Sequence, residues 1–116
     1  MSGDAVDRAV LAALAEDTAD VRVAREIVAI YLSRLHDRRD ALVGARGAAA
    51  LLRAAHGLRS PSELVGAVGL GARCAAIERA ARGGRLLDDA TADEVRRECD
   101  RVERELWSHL EGGAPG

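Results

Sequence analysis

The chain contains no lysine, no phenylalanine, only two prolines and two cysteines, and no long apolar run. Without lysine, lysine Schiff-base and lysine-nucleophile chemistry are excluded. The only aromatic side chains are Tyr31 and Trp107, which gives nucleic-acid bases little to stack on. All 17 basic residues are arginine; with 19 acids interleaved among them the net charge is -2. No basic stripe follows a polyanion, so nucleic-acid binding is not expected. The apolar runs fall short of the ~20 residues that a membrane helix needs. The opening Met1-Ser2-Gly3-Asp4 has no signal-peptide pattern, so a cytoplasmic location is expected. Cys74 and Cys99 are too few for a disulfide framework and read as reduced, packed thiols.

What is present is an interior of Ala, Leu and Val. At 48% hydrophobic and 2% aromatic, such side chains let helices approach closely and suit a bundle. Five helical segments are predicted. The first opens at Asp4 as N-cap and carries Val6, Val10, Ala13 and Leu14 on one face. The second spans about 20–43, with Ala24, Ile27, Val28, Tyr31, Leu32, Leu35 and Leu42 at helical spacing. The third covers about 48–64, and Pro61 within it predicts a kink or a short non-α turn. Gly66, Gly69 and Gly71 are expected to loosen the chain before a fourth helix holding Leu70, Cys74, Ile77 and Ala81, which Gly83-Gly84 ends. The fifth is expected to open on a capping box at Thr91-Ala92-Asp93-Glu94. Its inner stripe is Val95, Cys99, Val102, Leu106 and Leu110, with Glu98, Arg101 and Glu105 on a solvated face. Short links imply antiparallel packing: an all-α, up-and-down four-helix bundle with a short additional N-terminal helix. Residues 1–111 form one domain in this reading and 112–116 a flexible tail. The ends of the chain lean towards a free-standing protein, with a monomer as the simplest state.

His56 is the candidate for chemistry. At ~100° per residue, Leu51, Ala55, Leu58 and Ser62 cluster within roughly 40°, and His56 lies about 135° from their centre. The imidazole is therefore placed on the water-facing side of its helix, beside Arg53, Arg59, Ser60 and Glu63. A ring so placed, one turn from a guanidinium, suits a negative group such as phosphate. His36 and His109 lack any matching carboxylate or cysteine pattern, so neither is read as a metal ligand. A metal-binding bundle would need paired Glu-x-x-His motifs, and the sequence has none.

The series His56, Arg59, Ser60, Gly66-Ala67, Leu70, Cys74, Ile77, Glu78 resembles the histidine-containing phosphotransfer (HPt) domain family. That pattern is a histidine, a basic residue three later, a small residue next, Gly-Ala at ten and eleven, then an apolar-Cys-apolar-Glu run. Three positions depart from it: Arg59 stands for the usual lysine, Ser60 for the commoner glycine, and Pro61 where the helix commonly runs through. The resemblance implies a phosphorelay intermediate of two-component signalling, phosphorylated on His56 and exchanging with aspartates of receiver domains. It implies that Glu78 orients the imidazole through Nδ1, that Arg59 stabilises phosphoryl charge, and that Ser60 leaves room for the partner. It further implies partners among response-regulator receivers or hybrid histidine kinases. Leu52, Arg53 and Glu63 are then candidate partner contacts, with Val6 and Leu11 as more distant ones. No nucleotide loop is present, so no kinase activity or cofactor is expected, and Mg²⁺ belongs to the partner's receiver. Two alternatives stand beside this. Glu78 could simply pair with Arg82 at i+4, and the chain could be a non-catalytic module that binds a receiver or kinase without carrying phosphate, a reading favoured by Pro61.

Overall fold

The computed structural model describes residues 4–112. They form five α-helices and, among the described residues, no strand: α1 Arg8–Thr18, α2 Val21–Val43, α3 Ala48–Leu64, α4 Val68–Arg82 and α5 Asp89–Glu111. The expected tail falls on Gly112 and on positions outside the described residues. Three helices start on an aspartate whose carboxylate accepts the orphan N–H groups of the first turn. Asp7 takes Ala9 N, Asp20 takes Arg22 N, and Asp88 takes Thr91 N. Helix α2 begins where the sequence indicates. The other two expected starts are corrected. Asp7, not Asp4, caps α1, so Val6 lies in the chain before the helix, and the inward face is Leu11 and Leu14 while Ala13 is exposed. Thr91 is not the head of α5; it sits in the first turn and receives the Asp88 cap.

Each helix turns one stripe inward. Val28, Tyr31, Leu35 and Leu42 of α2 meet Leu51, Ala55 and Leu58 of α3, Leu70, Cys74 and Ile77 of α4, and Val95, Cys99, Val102 and Leu106 of α5 in one core. Helix α2 packs on α3 and α5, α4 packs on α3 and α5, and α1 lies against α2 and α3. The most extensive contact is between α3 and α4, the pair that carries His56 and Glu78.

Pro61 does not break α3. The helix stays α-helical through it to Leu64, so the expected non-α turn is corrected. A proline forfeits one N–H, and here the loss falls in the last turn. The bonds that follow are intact, from Val65 N to Pro61 O, Gly66 N to Glu63 O and Ala67 N to Ser62 O. Buried Ser62 also shares a 2.8 Å hydrogen bond with the Tyr31 hydroxyl, which ties this turn to α2.

Nor do the glycines delay α4. It starts at Val68 and contains Gly69 and Gly71. Gly71 is buried, and a Cβ there would lie 2.7 Å from Glu63 Cγ. Its bare backbone makes room there for the Glu63 side chain of α3. Gly66 makes the turn between them, with φ +88 and its carbonyl accepting Asp7 N at 2.7 Å. A Cβ at that point would meet Asp7 O at 2.7 Å, so both the backbone angle and the close approach require glycine.

The series Glu98, Arg101, Glu105 is not simply a solvated face. Glu98 is buried, and Glu105 accepts Ala5 N and Val6 N at 2.8 Å each. Those bonds fold the segment before α1 onto α5 and bury Val6. Val6 and Leu11 both belong to the core; as packing residues they are not exposed contacts for a partner, which corrects that expectation.

Candidate functional site

The water-facing side of α3 carries His56, whose side chain is 73% exposed. The stripe Leu51, Ala55, Leu58 and Ser62 is buried on the opposite side, so packing fixes the helix while leaving the ring in solvent. Across the α3–α4 contact, Glu78 Oε2 lies 3.1 Å from His56 Nδ1. Nε2 has no hydrogen-bond partner among the described residues.

Glu78 is the unusual member of the group. Its side chain is only 1% exposed, yet it is covered by polar neighbours that are themselves in water. Arg59 NH1 donates to Oε1 at 2.9 Å, and Arg82 NH2 stands 3.7 Å from Oε2. The Arg59 hydrogen bond holds the Glu78 carboxyl below its ordinary range; burial pulls the other way, and the bond to His56 adds to the lowering. Arg59 is raised in turn by its bonds to Glu78 and Glu63. An ionised Glu78 can only accept hydrogen bonds, so it favours the tautomer with hydrogen on Nδ1. The lone pair is then on Nε2, facing solvent.

The sequence-predicted residues do not all gather here. His56, Arg59, Glu78 and Glu63 form one network, since Arg59 Nε also donates to Glu63 Oε2 at 3.3 Å. Arg59 is thus engaged with two carboxylates, and only its NH2 makes no hydrogen bond among the described residues. Ser60 and Arg53 are exposed beside the ring, and Leu52 is half-buried against the core. The i+4 contact between Glu78 and Arg82 does exist, but it accompanies the bond to His56 and does not replace it. Glu63 as the holder of Arg59 was available in the sequence as an i,i+4 pair. The role of Gly71, over which Glu63 lies, was not.

His36 Nε2 pairs with Glu103 at 3.0 Å. His109 is lowered by burial and by nearby Arg25 and Arg8. Burial pushes Cys74 and Cys99 up to about 12, far from thiolate reactivity. Among the described residues no group of three or more His, Cys, Asp or Glu could hold a metal ion. No helix there is long and apolar enough to cross a membrane.

A model of the Hpt domain family matches residues 26–105, a span that includes the whole His56–Glu78 network. Among solved structures, the fold is similar to the crystal structure of histidine-containing phosphotransfer protein B (HptB) from Pseudomonas aeruginosa PAO1. The TM-score is 0.82 at 25% sequence identity, covering 95% of this chain and 97% of that one. No curated protein matches the chain.

Proposed function

The chain belongs to the Hpt domain family, and from that premise we propose that it is a phosphorelay intermediate carrying a phosphoryl group on Nε2 of His56. The observation that supports this most is the imidazole itself: exposed, held at Nδ1 by a buried carboxylate, and open at Nε2. In the accepting direction, the Nε2 lone pair attacks the phosphorus of an aspartyl phosphate on a receiver domain. The N–P bond forms, the O–P bond breaks, and the electron pair leaves with the aspartate. Return transfer reverses each step. Positioning and charge stabilisation carry such reactions, so the chain needs no nucleotide site or metal of its own. Mg²⁺ is assigned to the receiver's aspartate site.

Within this reading Glu78 orients the ring, and Arg59 offers its unengaged NH2 to a phosphoryl oxygen while its other nitrogens stay on Glu78 and Glu63. Ser60, small and exposed, leaves space above the ring. Leu52, Arg53 and Glu63 border the docking face for a receiver or a hybrid kinase. Helices α2–α5, joined by short turns, are the antiparallel up-and-down four-helix bundle, with α1 as the additional helix and 1–111 as the domain. A cytoplasmic monomer fits these roles. The competing reading is a binding module without phosphate chemistry, favoured in the sequence by Pro61; α3 stays α-helical through that residue.

The test is incubation of the protein with a receiver charged by acetyl phosphate. Label that is acid-labile and base-stable is expected to pass to the chain. Tight receiver binding with no transferable label overturns the proposal.

A further inference from the structure

Away from His56, a hollow of about 270 Å³ opens where α1 and α2 meet the end of α5. None of its lining comes from α3 or α4. Its walls are apolar: Leu11, Leu14 and Ala15 of α1, with Val21, Ala24 and Val28 of α2. Three basic side chains border it, one from each helix: Arg8, Arg25 and His109. Among the described residues none of the three is in an ion pair. Arg25 NH2 donates to Leu110 O at 2.6 Å, and that carbonyl leaves the guanidinium charge unanswered. The acids that share a lining with Arg8 are Asp4, Asp7 and Glu105, and none of them borders this hollow. Asp7 caps α1, and Glu105 holds Ala5 N and Val6 N with its two oxygens. The charges that act on His109 are the positive ones of Arg25 and Arg8.

We propose that this hollow binds a free medium-chain carboxylate, its tail against the apolar walls and its head group between Arg8, Arg25 and His109. The inference is independent of the phosphotransfer reading. Charge and shape together set the class of ligand. Two guanidiniums facing one hollow with no acid between them call for an anion, and their planar forks match a carboxylate. His109, with its protonation disfavoured, adds a ring N–H donor in place of a third charge. Inorganic phosphate would answer the cations and leave the walls unused. A neutral hydrocarbon would fill the walls and leave the cations unanswered. The volume lies just below the ~300–1,000 Å³ usual for ligand sites, which limits the tail to a short one.

The test is calorimetric titration of the whole protein near neutral pH with butanoate, hexanoate and octanoate. Each buried methylene tightens binding about fourfold, so affinity should climb by roughly 15-fold for every two carbons added. Octylammonium, with the same tail and the opposite charge, and inorganic phosphate should both bind at least about tenfold more weakly than octanoate. Arg8 makes no hydrogen bond among the described residues, so Arg8→Met should fold. It should weaken octanoate by about tenfold, the loss of one charge-assisted bond. Histidine NMR places the ligand: the His109 ring signals should move on addition of octanoate while those of His56 stay. Absence of binding, a chain-length series without slope, or an amine or phosphate that binds as tightly as octanoate overturns the proposal. Unaltered affinity in Arg8→Met, or shifts at His56 in place of His109, overturns it equally.

Discussion

His56→Gln is expected to abolish phosphoryl transfer while leaving the protein folded. Glutamine has no ring nitrogen with a nucleophilic lone pair, and no other histidine is positioned to substitute. His36 is tied to Glu103, and His109 on α5 is lowered by burial and by nearby Arg25 and Arg8. The stability expectation follows from location. The side chain of His56 is mostly in water and the packing stripe of α3 lies on the far side; the one bond given up leaves Glu78 still held by Arg59, a loss of about 1 kcal/mol. Labelling measured beside a thermal melt checks both halves. Residual acid-labile label on the folded variant places the acceptor elsewhere.

Glu78→Ala is expected to slow transfer by about 100-fold, the loss that roughly 1 Å of misplacement at a reacting group can produce. Alanine removes the acceptor from Nδ1 and releases Arg59 and Arg82 together, so the ring loses its tautomer preference and its orientation. Because those guanidiniums are partly in water already, the variant should fold. Its acid unfolding should change in a definite sense. The folded Glu78 carboxyl is held below its ordinary value, chiefly by the Arg59 bond. A lowered carboxyl contributes stability above its unfolded-state value of about 4.3, and loses that contribution as pH falls through the folded value. The alanine variant lacks this component, so its stability should depend less on pH below about 4.3. Single-turnover transfer and acid titrations followed by circular dichroism measure the two effects. An unaltered transfer rate removes Glu78 from the mechanism.

The sequence made some parts legible and concealed others, for physical reasons. The α3 stripe Leu51, Ala55, Leu58, Ser62 and the placement of His56 opposite it follow from helical period alone, and the structure has them so. The start of the second helix at about residue 20 was equally legible, and Asp20 proves to be its cap. Misreadings arose where a distant element decides a local question. Nothing near Glu105 indicates that it binds the backbone of Ala5 and Val6. Gly69 and Gly71 resemble loop residues until the pressure of α3 and α5 on α4 is known. Pro61 resembles a break until its position in the last turn, and the Ser62–Tyr31 bond beside it, are seen. In the site, the register of His56, Arg59 and Glu78 was readable. That Arg59 spends most of its donors on Glu78 and Glu63 was not, because it depends on how closely α4 approaches.

The measurement that bears most directly on the account is phosphorus NMR of the protein labelled with phosphoramidate, which distinguishes phosphate on the two ring nitrogens. A single resonance from phosphate on Nε2, absent in His56→Gln, is the predicted result. Phosphate on Nδ1, or on any residue other than His56, contradicts it.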